Sequence, residues 1–327
     1  MKTKLLTSIA KASMAVIPLV SAMPAFANTS DPPLCAEASK TQLPLYEWKQ
    51  ERAVPKGVVL MLHGITQRAA TLQDLGKKLS HEGFLVYGLD ERGFGWWHFD
   101  QKQGDRGYKC DFKSSVKDTD KVLTLLRQEH PALPIFLVGE SVGAAVAWRA
   151  AADSPDAVDG IVVAGSGSKA VRPKMTWVIA DTLKDSYRWN HQTNVVRYQL
   201  KYGTDDLAGF KQTLLDPEQR KTLSLSETIQ ADLFIRKNGK FAKAIDPHIA
   251  VLVVQGADDK VLSPKSAKKV FAVANTEDKK MVVVPNCGHI LLGLPKVKPL
   301  VGDSIASFLD EQSARGQVAA GPATVPQ

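Results

Sequence analysis

The chain has 327 residues, of which 44% are hydrophobic and 23% charged, with a formal net charge of +8. This is an ordinary globular composition, long enough to bury one large core. An aromatic content of 7% and the lack of heptad runs argue against fibrous and coiled-coil architectures. The sequence contains no H-E-x-x-H motif and no Cys/His cluster, so we expect neither a metal nor another cofactor.

The N-terminal segment has the layout of a cleaved signal peptide. Three lysines within the first eleven residues precede an apolar stretch, Ala12–Ala27, which ends in an A-x-A pattern. This stretch contains prolines and is shorter than the roughly 20 apolar residues of a spanning helix. We therefore predict cleavage near Ala27 rather than a retained anchor, and a periplasmic or secreted mature protein.

Beyond the signal peptide, residues 28–45 are polar and proline-bearing, and we predict a loose leader there. Apolar runs then alternate with helical patterns. The predicted strands are Val58–Leu62, Phe84–Leu89, Ile135–Val138, Ile161–Ala164, Ile249–Val254 and Met281–Val284. The predicted helices are Arg68–Gly83, Asp111–His130, Ser141–Ala152, Pro264–Ala274 and Val297–Gln312. Apolar strands separated by helices predict an α/β fold, with a mostly parallel sheet covered by helices on both faces.

The alternation stops between residues 168 and 245, which we interpret as a helical cap inserted into a core of residues 46–167 and 246–312. The cap holds 14 Lys/Arg and 8 Asp/Glu. Peripheral contact with an anionic lipid surface and a merely solvated basic face both explain this surplus. We expect no nucleic-acid partner and no obligate protein partner. Residues 313–327 are small and Gly/Pro/Ala-rich, which predicts a disordered tail.

Three cysteines are present: Cys35, Cys110 and Cys287. Export would permit a disulfide, and an odd number leaves at least one thiol outside such a pair within the chain. Cys35 and Cys110 both lie in loop-like sequence and are the pair that we predict, whereas Cys287 follows a strand.

The sequence G-E-S-V-G at residues 139–143 follows a predicted strand and opens a predicted helix. In this context G-x-S-x-G indicates a strained turn that lifts a serine hydroxyl clear of the backbone, and bulky neighbours would clash there. The start of the helix favours negative charge that develops beside it. Ser141 is therefore the candidate nucleophile.

A serine nucleophile needs a histidine base and an acid. His289 follows the late strand Met281–Val284 directly, a better place than those of the other histidines. The acid should end the preceding strand, where Asp258 and Asp259 are adjacent, and we favour Asp259.

The turn His63-Gly64-Ile65, at the end of the first long strand, suits half of an oxyanion hole. Two backbone N–H groups form such a hole in hydrolases of this class. We assign them to Ile65 and Val142, and we interpret His63 as structural.

The chain resembles the α/β-hydrolase superfamily in the order Ser141…Asp259…His289, the H-G turn, and the sequence D-E-R-G-F-G at residues 90–95 after the second long strand. Within it, the chain is similar to the branch of monoacylglycerol lipases, lysophospholipases and the serine aminopeptidase group. The resemblance covers about residues 45–312 and implies the α/β-hydrolase fold, the triad and a helical cap over the site. The acid of this branch occupies the fourth position of G-x-x-D, which supports Asp259. The chain departs from the branch at Thr66-Gln67-Arg68, where a small residue or glycine is common.

These observations predict hydrolysis of a carboxylic ester in an acyl-bearing amphiphile, such as a lysophospholipid or monoacylglycerol, through an acyl-enzyme. Two alternatives remain: an amide-cleaving, aminopeptidase-like enzyme, for which an acidic cluster in the cap would hold the substrate amine, and a non-catalytic binding protein. Trp96-Trp97 either packs in a loop against the cap or lines an acyl pocket.

Overall fold

A computed structural model describes residues 34–49, 54–99, 109–171, 180 and 192–320 of the chain. These residues belong to one unit, Pro32–Gln327. The predicted signal peptide at residues 1–27 lies outside the described residues. Within the described ranges, no helix has the length and apolar character needed to cross a membrane.

A seven-stranded sheet forms the centre of the fold. The strands of the described residues are β1 (Leu45–Trp48), β2 (Val58–Leu62), β3 (Leu85–Leu89), β4 (Ile135–Glu140), β5 (Gly160–Ala164), β6 (Gln192–Asn194), β7 (Thr222–Ser224), β8 (Ala250–Gly256) and β9 (Lys279–Val284), of which β6 and β7 pair only with each other. The sheet has the order β1-β3-β2-β4-β5-β8-β9, and only the β1–β3 pair is antiparallel. Every residue of β2, β4, β5 and β8 is buried, as in strands covered on both faces. The predicted mostly parallel α/β sheet is confirmed.

Helices cover both faces of this sheet. The α-helices of the described ranges are α1 (Ala36–Thr41), α2 (Gln73–His81), α3 (Trp96–Phe99), α4 (Phe112–Glu129), α5 (Val142–Asp153), α6 (Val196–Tyr198), α7 (Leu207–Thr213), α8 (Leu225–Ile235), α9 (Asn238–Ala244), α10 (Pro264–Val273) and α11 (Pro299–Ala320). Apolar residues of α4, α5 and α10 form the core on one face, and those of α2 and α11 form the core on the other. Burial of these apolar stripes against the sheet is the main favourable term in the stability of such a layered fold.

The predicted leader at residues 28–45 is wrong for its second half. Leu34 forms an antiparallel bridge with Tyr46, and α1 follows directly. Cys35, Ala38 and Leu43 are buried in the hydrophobic core. The apolar residues of this proline-bearing segment are too widely spaced to indicate a helix or strand. Tertiary packing orders the segment instead.

The predicted disordered tail at residues 313–327 is also wrong in part, because α11 continues to Ala320. Ser313 is buried, and its hydroxyl donates to the carbonyl of Leu309. Arg315 pairs with Asp278 at 2.6 Å and with Glu311 at 2.7 Å. Alanine favours helix strongly. Together with these contacts, it keeps the segment helical although its composition is typical of a disordered tail. Residues 321–327 lie outside the described part of the chain.

The cap lies between β5 and β8 in the sequence. Besides α6 to α8, it contains an antiparallel ribbon of β6 and β7, which the sequence did not predict because three-residue strands show no usable alternation. The predicted end of the cap at residue 245 is wrong, because Phe241 and Ala242 of α9 are buried in the core with α5 and α10. A capping box in which Ser224 and Glu227 bond each other's backbone starts α8. Three aromatic residues of the predicted cap, Trp177, Tyr187 and Trp189, fall in residues 172–179 and 181–191, outside the described ranges.

The predicted Cys35–Cys110 disulfide is absent: Cys35, Cys110 and Cys287 are all free and buried. Cys35 packs in the core beside α4 and β1, whereas Cys110 packs with Phe94 and Val142 in a separate cluster. The two thiols occupy different parts of the fold, so similar loop-like contexts in the sequence gave a wrong pairing.

Candidate active site

Ser141 lies in the turn that joins β4 to α5. Its backbone is left-handed, with φ 57° and ψ −111°, a conformation that costs free energy for a residue with a side chain. Two glycines allow this turn. A Cβ at Gly139 would lie 2.4 Å from the carbonyl oxygen of Gly143, and one at Gly143 would lie 2.5 Å from those of Leu62 and His63. The backbone therefore lifts the Ser141 hydroxyl to the start of a helix, where negative charge is favoured.

His289 lies between Ser141 and Asp259. The Ser141 hydroxyl is 2.8 Å from His289 Nε2, and His289 Nδ1 is 2.8 Å from Asp259 Oδ2. The carboxylate can only accept, so Nδ1 carries the proton and Nε2 is free to accept from Ser141. The structure thus brings together three residues that are 148 and 30 positions apart in sequence.

The loop after β8 fixes the Asp259 carboxylate. Its Oδ1 accepts from the amides of Val261 and Leu262, at 2.8 and 2.9 Å, and its Oδ2 also accepts from Gln255 Nε2 at 2.9 Å. Asp259 is buried, whereas Asp258 is exposed. Of the two candidate acids, the structure places only Asp259 against His289.

The ionisation of this pair follows from burial and mutual charge. Burial opposes ionisation of Asp259, but the adjacent His289 and the donated hydrogen bonds outweigh it and lower the pKa of the carboxyl. Burial likewise opposes the imidazolium form of His289, and the charge and hydrogen bond of Asp259 outweigh it and raise the pKa of the imidazole. The site is thus suited to hold a proton on His289 transiently.

Of the predicted oxyanion donors, Val142 directly follows Ser141 in the chain, and Ile65 lies in the turn after β2. Val142 is the first residue of α5, so its N–H has no partner within the helix. Among the described backbone hydrogen bonds, neither the Ile65 nor the Val142 N–H donates to a carbonyl. Ile65 lines the same cavity as Ser141 and His289. Neither N–H therefore has a backbone partner among the described residues.

His63 has the structural position that we predicted for it. It is fully buried, its Nδ1 donates to the Gly64 carbonyl at 2.8 Å, and its Nε2 accepts from the Glu91 amide at 3.0 Å. Burial lowers the pKa of His63. A neutral imidazole therefore joins the turn after β2 to the loop after β3.

The structure explains why Thr66-Gln67-Arg68 can replace the small residue or glycine that is common at this place in the related branch. Gln67 folds back so that its Oε1 accepts from the Gly64 amide at 2.8 Å. Thr66 is fully buried with φ 68°. Arg68 is buried and reaches the cap, where it pairs with Asp216 at 2.6 Å and Glu218 at 3.1 Å. The larger residues at positions 66–68 are thus accommodated by bonds within the loop and to the cap.

Sequence reasoning missed Glu140, the second residue of G-x-S-x-G. Its buried carboxylate accepts from the amides of Leu291, Leu292 and Gly293, at 2.6, 2.7 and 3.2 Å. These amides begin two residues after His289, so Glu140 fixes the 287–293 loop from the core side. An acidic residue inside an otherwise apolar strand end was the only signal available.

The cavity above Ser141 lies between the core and the cap. Its lining is mostly apolar and includes Ile65, Val171, Val195, Tyr198, Leu223, Ala231, Ile235, Val261, Leu262 and Ile290. Trp97 takes no part, because it packs in the core with the Arg92 guanidinium 3.6 Å from its ring centre. Neither Trp96 nor Trp97 is among the described residues that line the cavity, and both pack against the core. No group of His, Cys, Asp and Glu in the described residues is arranged to hold a metal ion.

Comparison with known proteins identifies the relatives of this chain. The sequence pattern of the family described as serine aminopeptidase, S33, matches residues 53–295. Human monoglyceride lipase is 24% identical over 286 residues, covering 84% of this chain and 89% of that protein. Monoacylglycerol lipase of Mycolicibacterium smegmatis is 24% identical over 258 residues, covering 78% of this chain and 88% of that protein.

Among solved structures, a soluble variant of monoglyceride lipase from Saccharomyces cerevisiae, in complex with a substrate analogue, aligns with a TM-score of 0.67. It is 19% identical and covers 84% of this chain and 91% of that one. The fold and the relatives agree with the chemistry that the site permits. The chain belongs to the serine aminopeptidase, S33 family and is a carboxylic ester hydrolase with the α/β-hydrolase fold.

Proposed function

We propose that the protein hydrolyses acyl esters through a covalent acyl-enzyme on Ser141. The observation that carries this proposal is the unbroken series of hydrogen bonds from Asp259 through His289 to Ser141, at 2.8 Å each, beneath an apolar cavity. A distance between Ser141 and His289 too long for a hydrogen bond would have favoured the alternative of a non-catalytic binding protein, and the 2.8 Å contact supports the enzyme instead.

In the first half-reaction, His289 Nε2 takes the proton of Ser141 as Oγ attacks the ester carbonyl. The N–H groups of Ile65 and Val142 donate to the resulting oxyanion, and Asp259 stabilises the imidazolium. His289 then protonates the leaving alcohol. In the second half-reaction, His289 deprotonates water, which attacks the acyl carbonyl and frees Ser141.

The lining of the cavity supports an acyl-bearing amphiphile as substrate, of the monoacylglycerol or lysophospholipid type. An apolar lining binds an acyl chain by removing it from water, at about 25 cal/mol per Å² of buried apolar surface. The relatives named monoglyceride lipases support the same class.

A basic groove supports peripheral contact with anionic lipid. Lys240 and Lys243 on α9 and Lys269 on α10 line it, and none of the three has an ion-pair partner among the described residues. Neither helix contains an acidic residue. Each lysine near an anionic membrane contributes about 1 kcal/mol.

Vesicle co-sedimentation tests this contact. The triple variant Lys240→Glu/Lys243→Glu/Lys269→Glu should lose binding to vesicles rich in phosphatidylserine, and added salt should weaken binding of the unmodified protein. The exposed lysines Lys77, Lys113 and Lys117, changed together to glutamate, are the matched control. Equal losses in both triples would show that the effect is net charge rather than the groove.

The aminopeptidase-like alternative has one observation in its favour, since Asp232 lines the cavity. Its carboxylate pairs with Arg236 at 2.6 Å, which leaves it poorly suited to hold a substrate amine. Turnover of aminoacyl p-nitroanilides above that of matched acyl esters would favour this alternative.

We also propose that the protein is exported and that residues 1–27 are removed. The charge and apolar pattern of that segment support this. The N-terminal sequence of protein recovered from the cell envelope or medium tests it, and a start at or close to Asn28 is expected.

A fluorophosphonate probe, followed by a substrate series, tests the enzymatic proposal. The purified protein should be labelled and should hydrolyse monoacylglycerols and lysophospholipids, whereas Ser141→Ala should show neither property. Labelling that persists in Ser141→Ala, or a folded protein that does not react, would contradict the proposal.

A further inference from the structure

One cap segment contacts both loops that flank Ser141. Gln199–Gly203 forms a single π-helical turn that continues from α6. Such turns are rare and frequently occur at functional sites. Its first residue contacts the 63–68 loop, which carries Ile65, and its last residue contacts the 287–293 loop, which carries His289.

At its first residue, the turn fixes the backbone beside the oxyanion donor. Gln199 Nε2 donates to the Ile65 carbonyl at 3.2 Å and to Thr66 Oγ1 at 2.7 Å, and Thr66 Oγ1 donates to Gln199 Oε1 at 2.9 Å. The side-chain amide of one cap residue therefore bonds both the Ile65 carbonyl and the Thr66 hydroxyl.

Thr66 needs such support. Its φ of 68° is left-handed, which is rare for a β-branched residue. Such a conformation costs about 1–3 kcal/mol and persists only where the surroundings hold it. Gln199 is the side chain that bonds the Thr66 hydroxyl.

At its last residue, the turn holds the loop of the general base. The Gly203 carbonyl accepts from the amides of His289 and Ile290, at 2.9 and 2.8 Å. Two residues later, Asp205 accepts from the Gly288 amide at 2.7 Å. Three consecutive amides around His289 are thus bonded to the cap.

We infer that the Gln199–Gly203 turn is a clamp that sets the oxyanion donor Ile65 relative to the base His289, with Gln199 as a positioning residue for hydrolysis. This inference rests on the proposed function. The cap then does more than select a substrate, since the catalytic geometry is complete only when the cap is docked on both loops. Misplacement of reacting groups by about 1 Å can cost roughly 100-fold in rate.

The test compares Gln199→Leu and Gln199→Glu with Gln212→Leu, which changes an exposed glutamine on the cap helix α7. Active sites are counted by the burst of a p-nitrophenyl ester, so that kcat refers to folded enzyme. We expect kcat to fall 10- to 100-fold in Gln199→Leu with KM within about twofold, a fall at least as large in Gln199→Glu, whose carboxylate cannot donate to the Ile65 carbonyl, and no change in Gln212→Leu. A role in folding alone would lower the number of active sites and leave kcat per site unchanged.

A second variant keeps the inference falsifiable if Gln199→Leu folds poorly. Thr66→Gly makes the left-handed backbone easy to adopt, so Thr66→Gly/Gln199→Leu should recover at least tenfold of the lost kcat. Wild-type kcat per site in Gln199→Leu, or no recovery in the double variant, would overturn the clamp. If the wild-type protein shows no Ser141-dependent turnover, the proposed function fails first, and the clamp fails with it.

Discussion

Two residues of the candidate active site and its neighbouring loop, Ser141 and Thr66, have left-handed backbones that are accommodated in different ways. At Ser141, with φ 57°, the neighbouring glycines Gly139 and Gly143 leave the space that the turn requires. Thr66, at φ 68°, is bonded by Gln199, which lies 133 positions away in the cap. Strain that is supported locally leaves a motif in the sequence, whereas strain supported by a distant element leaves none.

The largest loss of activity is expected from a change at Asp259, which, like Ser141, depends on neighbouring residues in its own loop. Asp259→Asn should lower kcat/KM by about 10⁴, because an amide can donate to Nδ1 and stabilise the wrong imidazole tautomer. Asp258→Asn, at the exposed neighbour, is the matched control and should retain full activity. Steady-state hydrolysis of a soluble acyl ester measures both, and a large loss in Asp258→Asn would reverse the assignment.

The local support at Ser141 can be broken with one methyl group. A Cβ at Gly143 would lie 2.5 Å from two backbone carbonyl oxygens, so Gly143→Ala must displace the turn and should reduce the labelling rate by about 100-fold. Gly239→Ala is the control, since a Cβ there meets nothing within 4 Å. Labelling of Gly143→Ala at the wild-type rate would show that the turn tolerates the displacement.

We expect a smaller effect from a change at Glu140, which supports the His289 loop from a distant position in the sequence. Glu140→Gln replaces one acceptor oxygen with a donor that faces backbone amides, leaving at least one buried N–H unbonded. We expect unfolding to become easier by about 1–3 kcal/mol, with a roughly tenfold loss of kcat/KM. Denaturant unfolding and kinetics measure the two effects, with the half-exposed Glu82→Gln as control. An unchanged midpoint of unfolding would contradict the structural role of Glu140.

The smallest effect is a displacement along the pH axis. Burial disfavours the imidazolium of His289, but Asp259 outweighs burial and Glu140 adds to its effect, so the pKa of His289 lies above its ordinary value of about 6.5. The neutral imidazole is the active base, so activity should rise with pH through a midpoint above that value. Asp259→Asn should move the midpoint to lower pH, and Glu140→Gln should move it by less. The pH dependence of the labelling rate measures this, and a midpoint unchanged in Asp259→Asn would contradict it.

The contrast between local and distant support also explains which parts of the structure the sequence could predict. The buried strands, most helices and the positions of Ser141, Asp259 and His289 follow from local patterns: apolar runs, glycine spacing and the residues that end strands. Strand β1 and helix α1 escaped prediction because only tertiary burial orders them. The β6–β7 ribbon is too short to alternate, and α11 is extended by contacts of Ser313 and Arg315. Glu140 and Gln199 act through backbone groups of remote loops, which carry no side-chain signature.

The buried thiols affect how the protein behaves when it unfolds. Burial raises the pKa of Cys35 to about 12, and burial also raises the pKa values of Cys110 and Cys287. Thiolate, the form that exchanges with disulfides, is therefore scarce in the folded state. Unfolding exposes three thiols of ordinary reactivity, an odd number that cannot all pair within one chain. Heating without a reductant should thus cross-link unfolded chains into covalent dimers, whereas the folded protein should form few of them.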